Sequence, residues 1–176
     1  MKLTSQEEYG LRCILALARP GEETDGGEPA ALTVAQIAER EGLSTEYAGK
    51  LMGVLVRAGF VESERGRYGG YRLSRAPHEI SVAEVLAALG GKLYDRDTCD
   101  RFSGDHELCV HTGGCTLRSV WSGLQQIIDQ VLTQTTLWDV IQQNERGMRE
   151  RIRRHASVPA PFEVGDPIMV RPVREG

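Results

Sequence analysis

The stretch Leu43-Ser44-Thr45-Glu46-Tyr47-Ala48-Gly49-Lys50-Leu51, continued by Met52-Gly53-Val54-Leu55-Val56-Arg57-Ala58-Gly59-Phe60-Val61, decides the fold. Ser44 is a helix-capping residue type, Tyr47, Leu51, Val54 and Leu55 recur on one helical face, and Ala58-Gly59 ends the run as a C-terminal capping glycine does. Upstream, Thr33 caps a helix over 34–40 that Gly42 stops, so two helices meet at a tight glycine turn. Downstream, Phe60-Val61-Glu62-Ser63 and Tyr71-Arg72-Leu73-Ser74 read as short strands around the glycine-rich loop Glu64-Arg65-Gly66-Arg67-Tyr68-Gly69-Gly70. Helix, turn, helix and basic hairpin in that order predict a mainly α fold with a small β wing, a winged helix-turn-helix over residues 1–80. At the front of it, Thr4 and Ser5 each have a glutamate three residues on, Glu7 and Glu8, a doubled capping-box signature. Tyr9, Cys13, Ile14 and Leu17 then recur at helical spacing, which predicts a helix from Ser5 to Arg19, followed by a solvated loop over 20–31.

A winged helix-turn-helix implies a DNA partner, and the formal net charge of −4 over 176 residues looks wrong for one until it is divided along the chain. Residues 44–75 hold Lys50, Arg57, Arg65, Arg67, Arg72 and Arg75 against Glu46, Glu62 and Glu64, a local +3 against −7 elsewhere. The second helix of the pair is expected to enter the major groove, with Ser44, Thr45, Tyr47, Gly49 and Lys50 as its contact residues and Lys50 donating to guanine or phosphate. Arg65, Arg67 and Tyr68 in the wing suit phosphate or a narrow groove, since arginine offers a planar fork of donors and the flanking glycines permit close approach. Solvated charges on a protein-interaction module are the rival reading, and their placement on this scaffold argues against it. There is no P-loop, no G-x-S-x-G and no H-E-x-x-H, so neither an enzyme nor a small-molecule substrate is expected. The start turns acidic before any apolar run long enough for a signal peptide, and no stretch reaches membrane-spanning length. A cytoplasmic protein with no membrane partner and reduced cysteines is therefore expected.

Residues 81–143 carry a different chemistry. Ser81 caps a short helix with Val82, Val85, Leu86 and Leu89 on one face, ended by Gly90-Gly91. Cys99, Cys109 and Cys115 then lie in a polar, glycine-containing loop, spaced C-x9-C-x5-C, with His106 and His111 between them. Cysteines acting as small hydrophobes belong on an apolar face, as Cys13 does; these three do not. Zinc sites favour tighter pairs, whereas wide spacing in a loop can wrap a larger iron-sulfur cluster. The residues leave both open, with simple redox thiols as a third reading. Beyond the loop, Leu117, Val120, Trp121, Leu124, Ile127, Ile128, Val131 and Trp138 recur at three and four residues, too apolar a seam for a solvated helix. It predicts a long dimerisation helix paired with its two-fold copy, the alternative being packing against the first helix. Residues 144–176 remain. Thr136 and Asp139 restart a cap, so a helix from Leu137 to about Arg154 is expected, with Arg149, Arg151, Arg153 and Arg154 near its end touching DNA or complementing the helix terminus. Pro159, Pro161, Pro167 and Pro172 argue against packed structure after it.

On the residues Leu43 to Leu51, Leu55, Ala58 to Val61 and Arg65-Gly66-Arg67-Tyr68-Gly69-Gly70-Tyr71-Arg72-Leu73, the chain resembles the Rrf2 family of bacterial winged-helix regulators, which includes the iron-sulfur regulators IscR, NsrR and RirA. The resemblance extends to Leu3–Leu17, Pro77–Val85 and the cysteine loop, most of residues 1–143. It implies a homodimer on a double-stranded DNA operator and a two-iron or four-iron cluster on Cys99, Cys109 and Cys115, with zinc as the alternative metal. In NsrR-like members the fourth ligand is an acid matching Glu8, given by the partner subunit. In IscR-like members it is a histidine three residues after the last cysteine, where this chain has Arg118, which cannot ligate. The resemblance therefore implies Glu8 as fourth ligand, with His106 and His111 in reserve. The gap before Cys109 is longer than in those relatives, so a cluster on Cys109 and Cys115 with non-thiol ligands is the variant form.

Overall fold

The computed structural model describes residues 3–19, 31–64, 66, 69–92, 101–103, 105, 109, 111 and 115–156. Helix α1 (Ser5–Ala18) is started by a reciprocal cap, in which the Thr4 hydroxyl accepts from the Glu7 amide and the Glu7 carboxylate accepts from the Thr4 amide at 2.7 Å. Of the doubled signature only the Thr4–Glu7 half forms, which leaves Glu8 outside the cap. Helix α2 (Val34–Glu41) carries the same device on Thr33 and Gln36 and ends at Gly42 in a left-handed conformation (φ 66°). Helix α3 (Thr45–Arg57) follows after three residues, its first turn capped by the Ser44 hydroxyl, which accepts from the Tyr47 amide.

The end of α3 explains a difference from the expected strands. The Gly59 amide donates to the Val56 carbonyl and the Phe60 amide to the Leu55 carbonyl, the paired bonds of a Schellman turn. Phe60 is consumed by the helix end and buried, so the wing begins one residue later, as β1 (Val61–Glu64) and β2 (Gly70–Leu73), antiparallel with Val61 opposite Leu73 and Glu64 opposite Gly70. Leu32 adds a third rung by exchanging both backbone bonds with Tyr71 (3.0 and 2.8 Å). A Cβ at position 70 would lie 2.8 Å from the Leu32 carbonyl oxygen, so the rung depends on Gly70.

A 3-10 turn (Pro77–Glu79) leads to α4 (Val82–Leu89), capped by Ser81 and Glu84; the Ser81 amide and hydroxyl donating to Glu84 hold its carboxyl below the usual range. Cys13, Ile14 and Leu17 of α1, Ile37 of α2, Leu51, Met52 and Leu55 of α3, and Val85 and Leu89 of α4 form one buried core. A Cβ at Gly10 would overlap the Leu89 side chain, so the missing side chain lets α1 and α4 touch.

Helix α5 (Thr116–Thr133) leaves the cysteine loop and lays only its C-terminal part against α4. The turn after it docks hard: the Val82 amide donates to Thr135 O at 2.8 Å, the Leu137 amide to Ile80 O at 3.0 Å, and the Leu137 side chain is fully buried in the winged-helix core. The single helix expected over 137–154 is two, α6 (Leu137–Gln142) and α7 (Glu145–Ala156). Gln143 is extended, and the Asn144 side chain accepts from the Gly147 amide at 2.9 Å, starting a fresh helix. Arg151 of α7 reaches back to Asp139 at 2.8 Å and to the Gln134 carbonyl at 2.9 Å, closing this corner.

The seam divides accordingly. Ile128, Val131 and Leu132 of α5 are half-buried on the chain's own groove, whereas Leu117 (62% exposed), Val120, Trp121 (44%) and Leu124 face outward and Ile127 is exposed at the groove's rim. An apolar face of this extent needs another surface to cover it. Replacement of Leu137 by alanine is expected to cost about 2–5 kcal/mol, the cavity term included, in urea unfolding of the full chain; a loss below about 0.5 kcal/mol would mean the turn does not anchor α5.

Candidate nucleic-acid interface and cysteine loop

With Ala48, Leu51, Met52 and Leu55 buried, the helical repeat turns Glu46, Lys50, Gly53 and Arg57 to the opposite side of α3. Glu46 and Lys50 are joined by an exposed ion pair of 2.7 Å, their side chains 79% and 69% accessible. Thr45 is exposed beside them. The other expected contact residues on this helix have structural partners. Ser44 spends its hydroxyl on the cap, and Tyr47 is half-buried with its ring edge-on to Tyr9 of α1, centroids 6.2 Å apart. A Cβ on Gly49 would meet Val34 of α2 at 3.8 Å, so Gly49 sits on the α2 side of the helix.

In the wing, Arg65, Arg67 and Tyr68 lie outside the described residues. Arg72 lies between Glu62 (3.3 Å) and Glu64 (2.7 Å), and Arg75 between Glu84 (3.3 Å) and the face of the Phe60 ring. Lys50, Arg72 and Arg75 thus hold carboxylates in the free chain. Such exposed pairs contribute only about 0–1 kcal/mol each, and a phosphate can displace the carboxylate at small cost.

In the cysteine loop, Cys109 and Cys115 are half-buried free thiols, and Cys115 occupies the N-cap position of α5 without making a side-chain cap bond. Cys99 and His106 lie outside the described residues; His111 is described and exposed. Among the described residues no three Cys, His, Asp or Glu side chains come together as a metal site. Glu8 stands on the first turn of α1 and lines a groove of about 1020 Å³ between α1, α4 and α5, walled by Leu11, Leu86, Ile128 and Leu132. Its partner is Arg12, at 2.8 Å, whose guanidinium also lies 5.5 Å over the Tyr9 ring. Cys13 is unlike the loop cysteines: it is fully inside the core, and burial, then the negative charge of Glu41, push its thiol up to about 11.

Arg12 was absent from the sequence expectations, and Glu46 and Arg57 entered them only as charges. The signal was present as i,i+4 acid–base spacing for Glu8–Arg12 and Glu46–Lys50, and as an eleven-residue step from Glu46 to Arg57 that returns to the same helix face.

Residues 3–143 match the model of the Rrf2 family, described as iron-dependent transcriptional regulators. The transcriptional regulator IscR of Vibrio campbellii is 32% identical over 145 residues, 82% of this chain and 80% of the relative. Among solved structures, IscR of T. potens superposes with a TM-score of 0.60 at 30% identity, covering 81% of this chain and 87% of that one. CymR of B. subtilis, the global cysteine regulator, gives a TM-score of 0.60 at 26% identity, covering 82% and 99%. The mostly helical architecture with a two-strand sheet is that of these winged-helix regulators. No helix among the described residues is long and apolar enough to cross a membrane.

Because the Cys13 thiol is raised from 9.0 to about 11 in the folded chain, the unfolded chain releases its proton first as pH rises. The stability that the buried thiol contributes is complete below pH 9 and declines between pH 9 and about 11. Urea unfolding at pH 8 and pH 10.5 is expected to show this alkaline loss, and C13A to show a smaller one; equal losses would contradict the assignment.

Proposed function

The chain belongs to the Rrf2 family of transcriptional regulators, and from that premise we propose that it is a dimeric repressor that senses redox, nitric oxide or iron status through an iron-sulfur cluster. Regulators of this family bind DNA and are typically dimeric, and they are not enzymes. The observation that carries the reading is a donor set held by no more than an exposed ion pair, Glu8 to Arg12. Cys109 and Cys115 are free thiols outside the core, Cys115 makes no cap bond, and Glu8 is released from capping because Glu7 performs it. Soft thiolates with one hard carboxylate suit iron. Cys109, Cys115 and Cys99 would hold the cluster, with Glu8 of the partner subunit as fourth ligand and His106 or His111 in its place if Glu8 does not serve. When bound, a cluster supplies a reversible oxidation state and a bond set that oxidants and nitric oxide can break.

The chain's own residues translate that state into geometry. Ligation would draw Glu8 away from Arg12, an exposed pair that costs little to open. Arg12 lies over Tyr9, and Tyr9 packs on Tyr47 in the first turn of α3, so α1 and the reading helix share one aromatic contact. At the other end, α5 is fastened to α4 through Thr135 and Leu137. The exposed residues of α5, Leu117 to Ile127, offer the second subunit its surface. Two reading heads joined in this way would sit about one DNA turn apart, the half-site spacing of a symmetric helix-turn-helix dimer.

Anaerobic purification with visible spectroscopy and iron and sulfide analysis is expected to give a coloured protein with matched iron and sulfide, and the double variant C109A/C115A a colourless one. A colourless wild type with stoichiometric zinc would assign a zinc-stabilised regulator instead. A metal-free wild type whose duplex affinity follows thiol oxidation would assign a thiol-based one, the reading favoured by the likeness to the cysteine regulator CymR. Either result contradicts the iron-sulfur reading.

A further inference from the structure

The outward side of α3 is narrower and more mixed in charge than a phosphate-binding surface requires. Glu46, Lys50, Gly53 and Arg57 fall within about 60° of one another around the helix axis, opposite the buried Ala48, Leu51, Met52 and Leu55. At the N-terminal end of this ridge stands a carboxylate, joined at 2.7 Å to the Lys50 ammonium one turn on. Gly53 leaves a gap behind them, and a Cβ placed there would meet the Arg57 guanidinium at 3.4 Å. The arginine therefore folds back along the ridge toward Lys50.

The N-terminal residues of a recognition helix are those that meet base edges. A carboxylate in that place has no use for phosphate, which repels it, and it can only accept hydrogen bonds. The major groove offers just two donors, the amino groups of cytosine and adenine, and adenine sets its N7 acceptor beside the amino group, where it repels a carboxylate. Cytosine is left. Lysine can only donate, and its match in the groove is guanine O6 and N7.

We propose that Glu46 and Lys50, held side by side on the outward ridge of α3, are a base-reading pair in which Glu46 accepts from a cytosine amino group and Lys50 donates to a guanine. The i,i+4 step places the two Cα positions about 6 Å apart along the helix, so once the heads part, the cytosine and the guanine lie within about two base-pair steps of about 3.4 Å. In the free chain the pair neutralises itself; on the operator each head exchanges its partner for a base edge. Arg57, further along the ridge, is left for phosphate.

The test is selection of a randomised double-stranded DNA library by the full-length protein, followed by sequencing, for wild type, E46Q and E46A. All three keep the fold because Glu46 is exposed and outside the core. Wild type is expected to enrich cytosine at one half-site position with guanine close by. E46Q is expected to move that position to adenine, since an amide matches adenine N6 and N7. E46A is expected to lose the discrimination there by about 5- to 150-fold without weakening binding to the pool, because a negative charge has left the DNA-facing surface. Enrichment of the same bases by all three proteins would overturn the proposal and leave the pair as a helix-stabilising contact. The proposal needs duplex binding but no cluster, so a colourless protein does not count against it, whereas a wild type that selects no duplex overturns it together with its premise.

Discussion

The backbone exchange between Ile80–Val82 and Thr135–Leu137 is the constraint on which the arrangement depends. Two hydrogen bonds of 2.8 and 3.0 Å and one fully buried leucine fix the end of α5 to the start of α4. Helix α4 is itself seated on α1 through the missing side chain of Gly10. This corner fixes where the long helix lies on the winged-helix core, and the Asp139–Arg151 pair closes it from outside. The anchored end of α5 is the one remote from Cys115. The exposed apolar residues of α5 lie toward its other end.

Electrostatics on the candidate nucleic-acid surface follows a second rule. In a chain of net charge −4, three cations of the described helix-turn-helix and wing are paired with carboxylates, Lys50 with Glu46, Arg72 with Glu62 and Glu64, and Arg75 with Glu84. Exposed pairs are weak, so they are readily traded for phosphate, whose binding is strengthened by release of condensed counterions. Free carboxylates beside those cations also weaken attachment to arbitrary DNA, and discrimination then rests on the groups that meet base edges.

The winged-helix order was legible because each element carries its own local signal: capping pairs at Thr4, Thr33 and Ser81, an αL glycine at Gly42, and a glycine-rich hairpin loop. Cys13 was legible as core from its apolar face. What was not legible is non-local. The bridge from Leu32 to Tyr71 and the docking of Thr135 on Val82 join residues far apart in sequence, and no periodicity encodes them. Phe60 looked like strand because it precedes a β-branched residue, yet a Schellman turn claimed its amide. The break at Gln143–Asn144 was hidden because the helical period resumes on the far side, with Asn144 acting as a cap. For the site, the sequence alone allowed Glu8 to serve a cap or to stand free; the cap that forms is Thr4–Glu7, which leaves Glu8 outside it.

The claim that the cysteine loop governs the reading head is tested most directly by one titration. Affinity for a single selected duplex, at fixed salt, is measured anaerobically on full-length protein while its iron and sulfide content is stepped from full loading to none. The account predicts an affinity that changes with loading and stops changing when Cys109 and Cys115 are replaced by alanine. The same affinity at every loading would contradict it.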